Sequence, residues 1–222
     1  MKRINIAIDG PSAAGKSTIS KKVAEALNYV HLDSGAMYRC IAYKALNNDI
    51  ALDDGDALSK IIDETTIRLT PEGTIYLDGE DVSLNIREDN ISKAASDVSK
   101  VGIVREKLVA LQQEMAKEKG IIMDGRDIGT VVLKDAELKI YLTASCEARA
   151  MRRYIQNKEN GILQNDYETI LEDIRKRDYQ DMNREISPLR KADDAIEIDS
   201  SDLEIDDVVN LVLQLVKPLL ED

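Results

Sequence analysis

The chain has 222 residues, enough for one α/β core with one or two appended subdomains but too few to add the partner domains of a motor or transporter ATPase. Its 42 acidic against 30 basic residues give a formal charge of −12, which argues against a general nucleic-acid surface and leaves any anionic ligand to local clusters of cations. No secretory leader is legible at the amino end and no apolar run approaches the roughly 18 residues of a membrane span, so a cytoplasmic protein without membrane partners is expected.

With neither Phe nor Trp the core has to be aliphatic, and only the eight Tyr can offer a ring to a base. Ile4–Asp9 is a short apolar run, and from Ser17 to Leu27 apolar or small residues recur at helical spacing, which predicts a strand, a glycine-rich turn and a helix. Tyr29–Leu32 is a second strand candidate, and Ser34–Leu46 a helix capped by Ser34 or Asp33. From about Asp53 to Ser99 the pattern changes. A helix-like stretch is followed by "TIRLT" and "TIYLDGEDV", with Pro-Glu-Gly and Asp-Gly-Glu-Asp turns, predicting a hairpin or small antiparallel sheet carried as an insert.

Helical spacing returns over Val101–Lys119, and Gly120–Gly125 is a buried strand candidate with Asp124 at its carboxyl end. Leu138–Ala144 is another strand. Then come an arginine-bearing helix from about Cys146, a polar "NKENG" break, and a long charged helix from Asp166 to about Glu185. Ala195–Asp199 and Ile205–Leu220 supply the last strand and helix. Strands alternating with helices predict a doubly wound α/β fold whose functional residues gather at the carboxyl ends of the strands.

The turn "GPSAAGKS" (Gly10–Ser17) carries the spacing of a phosphate loop, with a strand before it and a helix after it as that mechanism requires. Gly10 and Gly15 permit backbone torsions that let consecutive N–H groups converge on phosphate oxygens at a helix amino end. Lys16 supplies charge to the β and γ phosphates, and the Ser17 hydroxyl can ligate Mg²⁺. ATP or GTP with magnesium is the expected ligand. The loop alone does not separate a switch from a transferase.

A guanine-reading switch needs an Asn-Lys-x-Asp motif, and the nearest approach, "NKEN" at Asn157–Asn160, lacks the anionic acceptor. A phosphotransferase needs an acceptor site and a cover against water. "LDSGAMYR" sets Ser34, Tyr38 and Arg39 after the second strand, and "MDGRDIGT" sets Asp124, Arg126 and Asp127 at the end of another. "RKRDYQDMNR" brings Arg177, Asp181 and Arg184 to similar faces of one helix, where guanidinium forks can hold a phosphate bidentately. By itself that segment also fits a salt-bridged exposed helix. Asp124 can cap the next turn or hold a magnesium-bound water. The single His, His31, reads as structural, and Cys40 and Cys146 as reduced thiols without metal or disulfide spacing.

Taken in order, "IAIDGPSAAGKST", "LDSGAMYR", "DGEDVSLNIR", "AASDVS", "VREKL", "DGRDIGTVV" and "RDYQDMNR" resemble the bacterial cytidylate kinase family over essentially the whole chain. The resemblance implies a P-loop NTPase fold with a CMP-binding insert and a short lid, and in-line transfer of the γ-phosphoryl of ATP to CMP or dCMP with Mg²⁺. The expected ATP loop is Gly10, Pro11, Ser12, Ala13, Ala14, Gly15, Lys16, Ser17 and Thr18, with Ser17 on the metal. The CMP side takes Ser34, Arg39, Ser96, Arg105, Arg126, Asp127, Arg177, Asp181 and Arg184. Within that set Arg177 and Asp181 fall to the sugar, Arg184 to the base or phosphate, and Asp127 or Ser96 to the cytosine amino group. Lys16, Arg126 and Arg177 are the expected catalytic groups, and Arg149, Arg152 and Arg153 the lid arginines.

By the same comparison the single domain divides into a core (about 1–33, 100–145 and 186–222), a CMP-binding region with insert (about 34–99), a lid region (about 146–165) and an arginine/aspartate helix (about 166–185). A kinase for another monophosphate, UMP or AMP, and a nucleotide-hydrolysing switch are the alternatives. A monomer is expected, since no heptad seam or exposed apolar stripe is legible.

Overall fold

In the computed structural model, which describes residues 2–70, 73–159 and 166–221, the predicted alternation of strands and helices takes physical form. In chain order the elements are β1 (Ile6–Asp9), α1 (Lys16–Leu27), β2 (Val30–Asp33), α2 (Ser34–Asn47), α3 (Gly55–Asp63), β3 (Ile67–Leu69), β4 (Ile75–Leu77), β5 (Glu80–Asp81), α4 (Asp89–Val98), α5 (Gly102–Met115), β6 (Ile121–Gly125), β7 (Leu138–Thr143), α6 (Cys146–Glu159), α7 (Tyr167–Asn183), β8 (Ile196–Asp199) and α8 (Ile205–Glu221). Pro71 and Glu72 of the predicted Pro-Glu-Gly turn, and residues 160–165 of the expected lid region, lie outside the described residues. No described helix is long and apolar enough to cross a membrane.

Five strands make one parallel sheet in the order β2-β6-β1-β7-β8. A parallel sheet is covered on both faces, so its inner strands must be apolar on both, and the pleat decides which helix each residue meets. Ile6, Ile8 and Ile122 join the cluster that holds Ile19 and Val23 of α1 and Val208 and Val212 of α8. Ala7, Leu32 and Met123 point the other way and join Met37 and Ile41 of α2 and Val104 and Leu108 of α5. Apart from Tyr38 at the edge of one layer, aliphatic side chains fill both layers, as a chain without Phe or Trp requires.

Strand register is what assembles the site. Asp33 of β2 lies opposite Asp124 of β6, and Asp9 of β1 lies opposite Gly125, so the carboxyl ends of three neighbouring strands present carboxylates at nearly one level. The chain leaves β1 into the loop preceding α1 at the centre of the five-stranded sheet, the position where open α/β sheets bind ligands.

The insert contains the small antiparallel sheet, in the order β3-β4-β5, and Ile75, Leu77, Val82 and Ile86 pack it onto Ala36 and Cys40 of α2. Three features depart from the sequence expectation. Helix α6 runs on through Asn157, Lys158 and Glu159, where the start of a polar break is expected. The second half of the insert is helical: Ile91, Ala94, Ala95 and Val98 recur at helical spacing and bury one stripe as α4. Arg184 lies just past α7, which ends at Asn183 rather than near Glu185; Arg184 adopts an extended backbone as the cap residue. Between β6 and β7 the chain makes one π-helical turn, Ile128–Val132.

Leu108 is fully buried one turn beyond Arg105 on α5 and seats that helix on the core. Leu108→Ala is expected to destabilise the fold by about 2–5 kcal/mol, measured by urea unfolding. A change within error would show that α5 is held some other way.

Candidate active site

Gly10 has no room for a side chain, because an added Cβ would lie 2.0 Å from the carbonyl oxygen of Leu142 on β7. Its φ of +152° and the φ of +88° at Gly15 bend the loop tightly back to the amino end of α1. Gly15 stands at the cap position and no side chain caps the helix there, so the first-turn amides and the positive end of the helix dipole face outward to an anion. Lys16 opens the helix buried, its Nζ donating to the Pro11 carbonyl at 2.7 Å across the loop. Burial, and then the Arg126 guanidinium, push its ammonium down to about 7.

Around this loop, carboxylates hold the structure in place. Asp9 is buried and accepts from two backbone amides, Ile128 N at 2.8 Å and Gly129 N at 2.7 Å, which ties the end of β1 to the loop after β6. Burial pushes its carboxyl up to about 6 despite those two bonds. Asp33 caps α2 by accepting from Ala36 N at 2.9 Å and pairs with Arg39 at 2.8 Å. Asp124 receives the Ser17 hydroxyl at 2.8 Å on one oxygen and His31 Nε2 at 2.6 Å on the other, while its backbone carbonyl accepts from Ser34 Oγ at 2.7 Å. Burial opposes charge on His31, but Asp124 outweighs it and holds the imidazole above its usual pKa.

The arginines form two groups. Asp127 is clamped by the buried Arg105 on one oxygen and by Arg184 at 3.4 Å on the other, with the Arg105 guanidinium 5.5 Å from the centre of the Tyr38 ring. Arg126 donates to Asp181 at 2.7 Å, and Arg177 lies one turn before Asp181 on α7. Burial lowers Arg177 to about 10, and the charges of Arg126, Arg39 and Arg153 add to that effect. Arg39, Arg105 and Arg177 each keep a buried Nε with no partner among the described residues. Buried donors of this kind are rare in folded chains, and three around one cleft fit an anion with several oxygens.

Most of the residues singled out from sequence are therefore brought together: Lys16, Ser17, Ser34, Arg39, Arg105, Arg126, Asp127, Arg177, Asp181 and Arg184. Ser96 is half-buried on α4, and none of these groups engages its hydroxyl. The expected lid arginines divide. Arg149 is buried: it donates to Ala144 O at 2.9 Å and Ser12 O at 3.0 Å and pairs with Asp178 at 2.6 Å, because it lies on the face of α6 that packs against α7. Arg152 donates to the Ser200 hydroxyl at 3.2 Å. Only the exposed Arg153 is left toward the Arg177 side.

Two residues escaped sequence reading. Asp9 reads there only as the end of a strand, and His31 only as a strand residue without a partner. The legible signal was parity: His31 and Asp33 share one face of β2, and Asp33 ends at the site.

A divalent ion fits the oxygens present. Ser17 Oγ and Asp124 lie beside Lys16 at the helix end, a hard-oxygen donor pair of the kind Mg²⁺ takes when phosphates and water complete its shell. Among the described residues no three His, Cys, Asp or Glu side chains form a metal cage.

Comparison with known proteins agrees with this geometry. A family model described as cytidylate kinase matches residues 6–218. A curated cytidylate kinase of Caldicellulosiruptor saccharolyticus is 54% identical over 218 residues, covering 97% of this chain and 96% of that protein. That of Bacillus subtilis is 48% identical over 219 residues, covering 97% of each. Among solved structures, a shikimate kinase from Bacteroides thetaiotaomicron superposes with a TM-score of 0.51 at 12% identity, covering 97% of this chain and 99% of that one. A gluconokinase from Sinorhizobium meliloti gives 0.50 at 14%, covering 99% and 96%. At such identities the structures speak to the fold alone.

The lowered Lys16 sets a test. Near pH 8 an ammonium with a pKa of about 7 is mostly neutral in the free chain, and a bound triphosphate restores its proton. Calorimetry of ATP binding in buffers of different ionisation enthalpy is expected to report uptake approaching about one proton per ATP near pH 8. Lys16→Met abolishes it; the same uptake in that variant would assign the proton to another group.

Proposed function

The chain belongs to the cytidylate kinase family of phosphotransferases, and on that premise we propose that it transfers the γ-phosphoryl of ATP to CMP or dCMP, giving ADP with CDP or dCDP, in pyrimidine nucleotide metabolism. The observation that carries this reading is the half-buried Arg126 guanidinium, close enough to the buried Lys16 beside the phosphate loop and to Arg177 on α7 to lower the basicity of both. Such a cluster suits two phosphate-bearing substrates that repel each other.

In the reaction an oxygen of the CMP phosphate attacks the γ-phosphorus of ATP in line. One P–O bond forms, and the bond to the bridging oxygen of ADP breaks, taking its electron pair to ADP. The acceptor phosphate is already ionised, so no general base is required. The backbone N–H groups of the Gly10–Thr18 loop, other than at Pro11, which has none, and the Lys16 ammonium hold the donor phosphates. Arg126 and Arg177 lie where they can neutralise charge on the transferred group, and Asp181 holds Arg126 in that direction. Ser17, and Asp124 through water, would hold Mg²⁺, which supplies charge neutralisation on the phosphates when bound.

Arg39 and Ser34 face the acceptor from α2. For the base, the clamp of Arg105, Asp127 and Arg184 sets guanidinium donors next to a carboxylate acceptor. Cytosine offers an amino donor beside two acceptors, which that array matches, whereas uracil would set a carbonyl against the carboxylate. Ser96 is the second acceptor candidate for the amino group. Division into core, CMP-binding region with insert, lid region and arginine/aspartate helix is part of this proposal, with Arg153 the remaining cation on the lid side. A monomeric, cytoplasmic enzyme is proposed with it.

Chromatography of products from ATP offered with CMP, dCMP, UMP, AMP or GMP tests the assignment. Transfer yields the diphosphate of the acceptor, fastest for CMP or dCMP; ADP and free phosphate alone would mark a hydrolysing switch. Lys16→Ala is expected to lower turnover on the order of 10²-fold or more. Asp127→Ala and Ser96→Ala are expected to narrow the CMP-to-UMP ratio of kcat/KM. If both leave that ratio intact, the base is read elsewhere.

A further inference from the structure

The only histidine in the chain is built into the donor side of the site. His31 lies on β2 opposite Ile122 of β6, and Asp33 opposite Asp124, so His31 stands one pleat before the strand ends on the face that α1 covers. Ser17 reaches down to that face from α1. Asp124 thus meets two side chains from two elements, Ser17 at 2.8 Å on one oxygen and His31 Nε2 at 2.6 Å on the other, and its side chain is only 4% exposed. A carboxylate only accepts, so His31 Nε2 carries the proton and donates it. Neighbouring Asp33 is already engaged by Ala36 N and Arg39.

We infer that His31 is a positioning residue for the metal-bearing side of the donor site: by fixing one oxygen of Asp124 it keeps the other turned to Ser17, and so sets how strongly a divalent ion tightens ATP binding. This rests on the magnesium assignment to Ser17 and Asp124 made above. Among the described residues the clamp of Asp127 by Arg105 and Arg184 makes no bond to this trio, and Ser34 of the acceptor side touches Asp124 only at its backbone carbonyl, so the side-chain bond of His31 is expected to leave CMP binding little changed. Groups that orient a ligating side chain typically govern metal affinity by 10- to 100-fold, and the effect here is expected at about the lower figure.

Calorimetry of ATP binding with Mg²⁺ and with EDTA gives the ratio by which the ion tightens the complex. His31→Leu is expected to cut that ratio about tenfold while leaving metal-free ATP affinity and CMP affinity unchanged. His31→Gln, whose amide can donate from a similar position, is expected to restore most of it. Ser17→Ala and Asp124→Asn test the underlying assignment separately. If neither changes the ratio, the metal assignment fails; if both do and His31→Leu does not, the inference about His31 fails alone. Equal losses for metal-free ATP, Mg-ATP and CMP in His31→Leu would make the residue merely structural and overturn the inference.

Should His31→Leu not fold, the wild-type chain supplies its own readout. Its one imidazole signal by NMR is expected to shift when Mg²⁺ is added to the ATP complex and to stay in place when CMP is added. An imidazole signal indifferent to Mg²⁺ would overturn the inference.

Discussion

Arg126 lies close enough to the buried Lys16 and the half-buried Arg177 to lower the basicity of both, while Asp181 holds its own guanidinium above the usual value, and the proposed site is arranged around that repulsion. Three such cations without counter-ions would not stay together, since even partial burial of each is unfavourable and each like-charged neighbour adds to that. Asp181, held by Arg126, offsets part of this charge, and Asp124 and Asp9 also act on Lys16. In the proposed function the remainder is met by phosphate oxygens. Binding two polyanions then relieves a repulsion already present in the free chain, so electrostatic work is done in the fold before substrate arrives.

Carboxylates hold the cleft in shape, and each joins two or more elements. Asp9 links β1 to the loop that carries Arg126 and Asp127; Asp33 joins the start of α2 to Arg39; Asp124 connects β6 to α1 and β2. Donor and acceptor sides are thereby fixed relative to one another through the sheet, not through a flexible connection. The core beneath is aliphatic and layered by the pleat, so a shift of one strand would displace every carboxylate at its end.

Much of this was legible in the sequence. The five strands of the parallel sheet and the helices around it follow from short apolar runs and helical spacing, and the phosphate loop from its glycines and flanks. Asp33 is also identifiable as one of two cap candidates. What escaped prediction depends on residues far apart in the chain. The bond of His31 to Asp124 and those of Asp9 to Ile128 and Gly129 exist only once β1, β2 and β6 lie side by side. Arg149 is similar: the family resemblance implies a lid position for it, but the face of α6 it occupies is the one that packs on α7, and Asp178 and the Ser12 carbonyl hold it there. Helix α4 was missed because its apolar stripe is short and adjoins a hairpin whose turns dominate the local pattern.

One cleft that gathers both substrates' phosphates against a shared set of cations should recognise them better joined than apart. The most direct measurement is the affinity of an analogue in which adenosine and cytidine are linked through five phosphates, titrated calorimetrically beside ATP and CMP. The account predicts one analogue per chain, bound far more tightly than either nucleotide and competing with both. An analogue bound no more tightly than ATP, with CMP still able to bind alongside it, would place the two phosphate sites apart and contradict it.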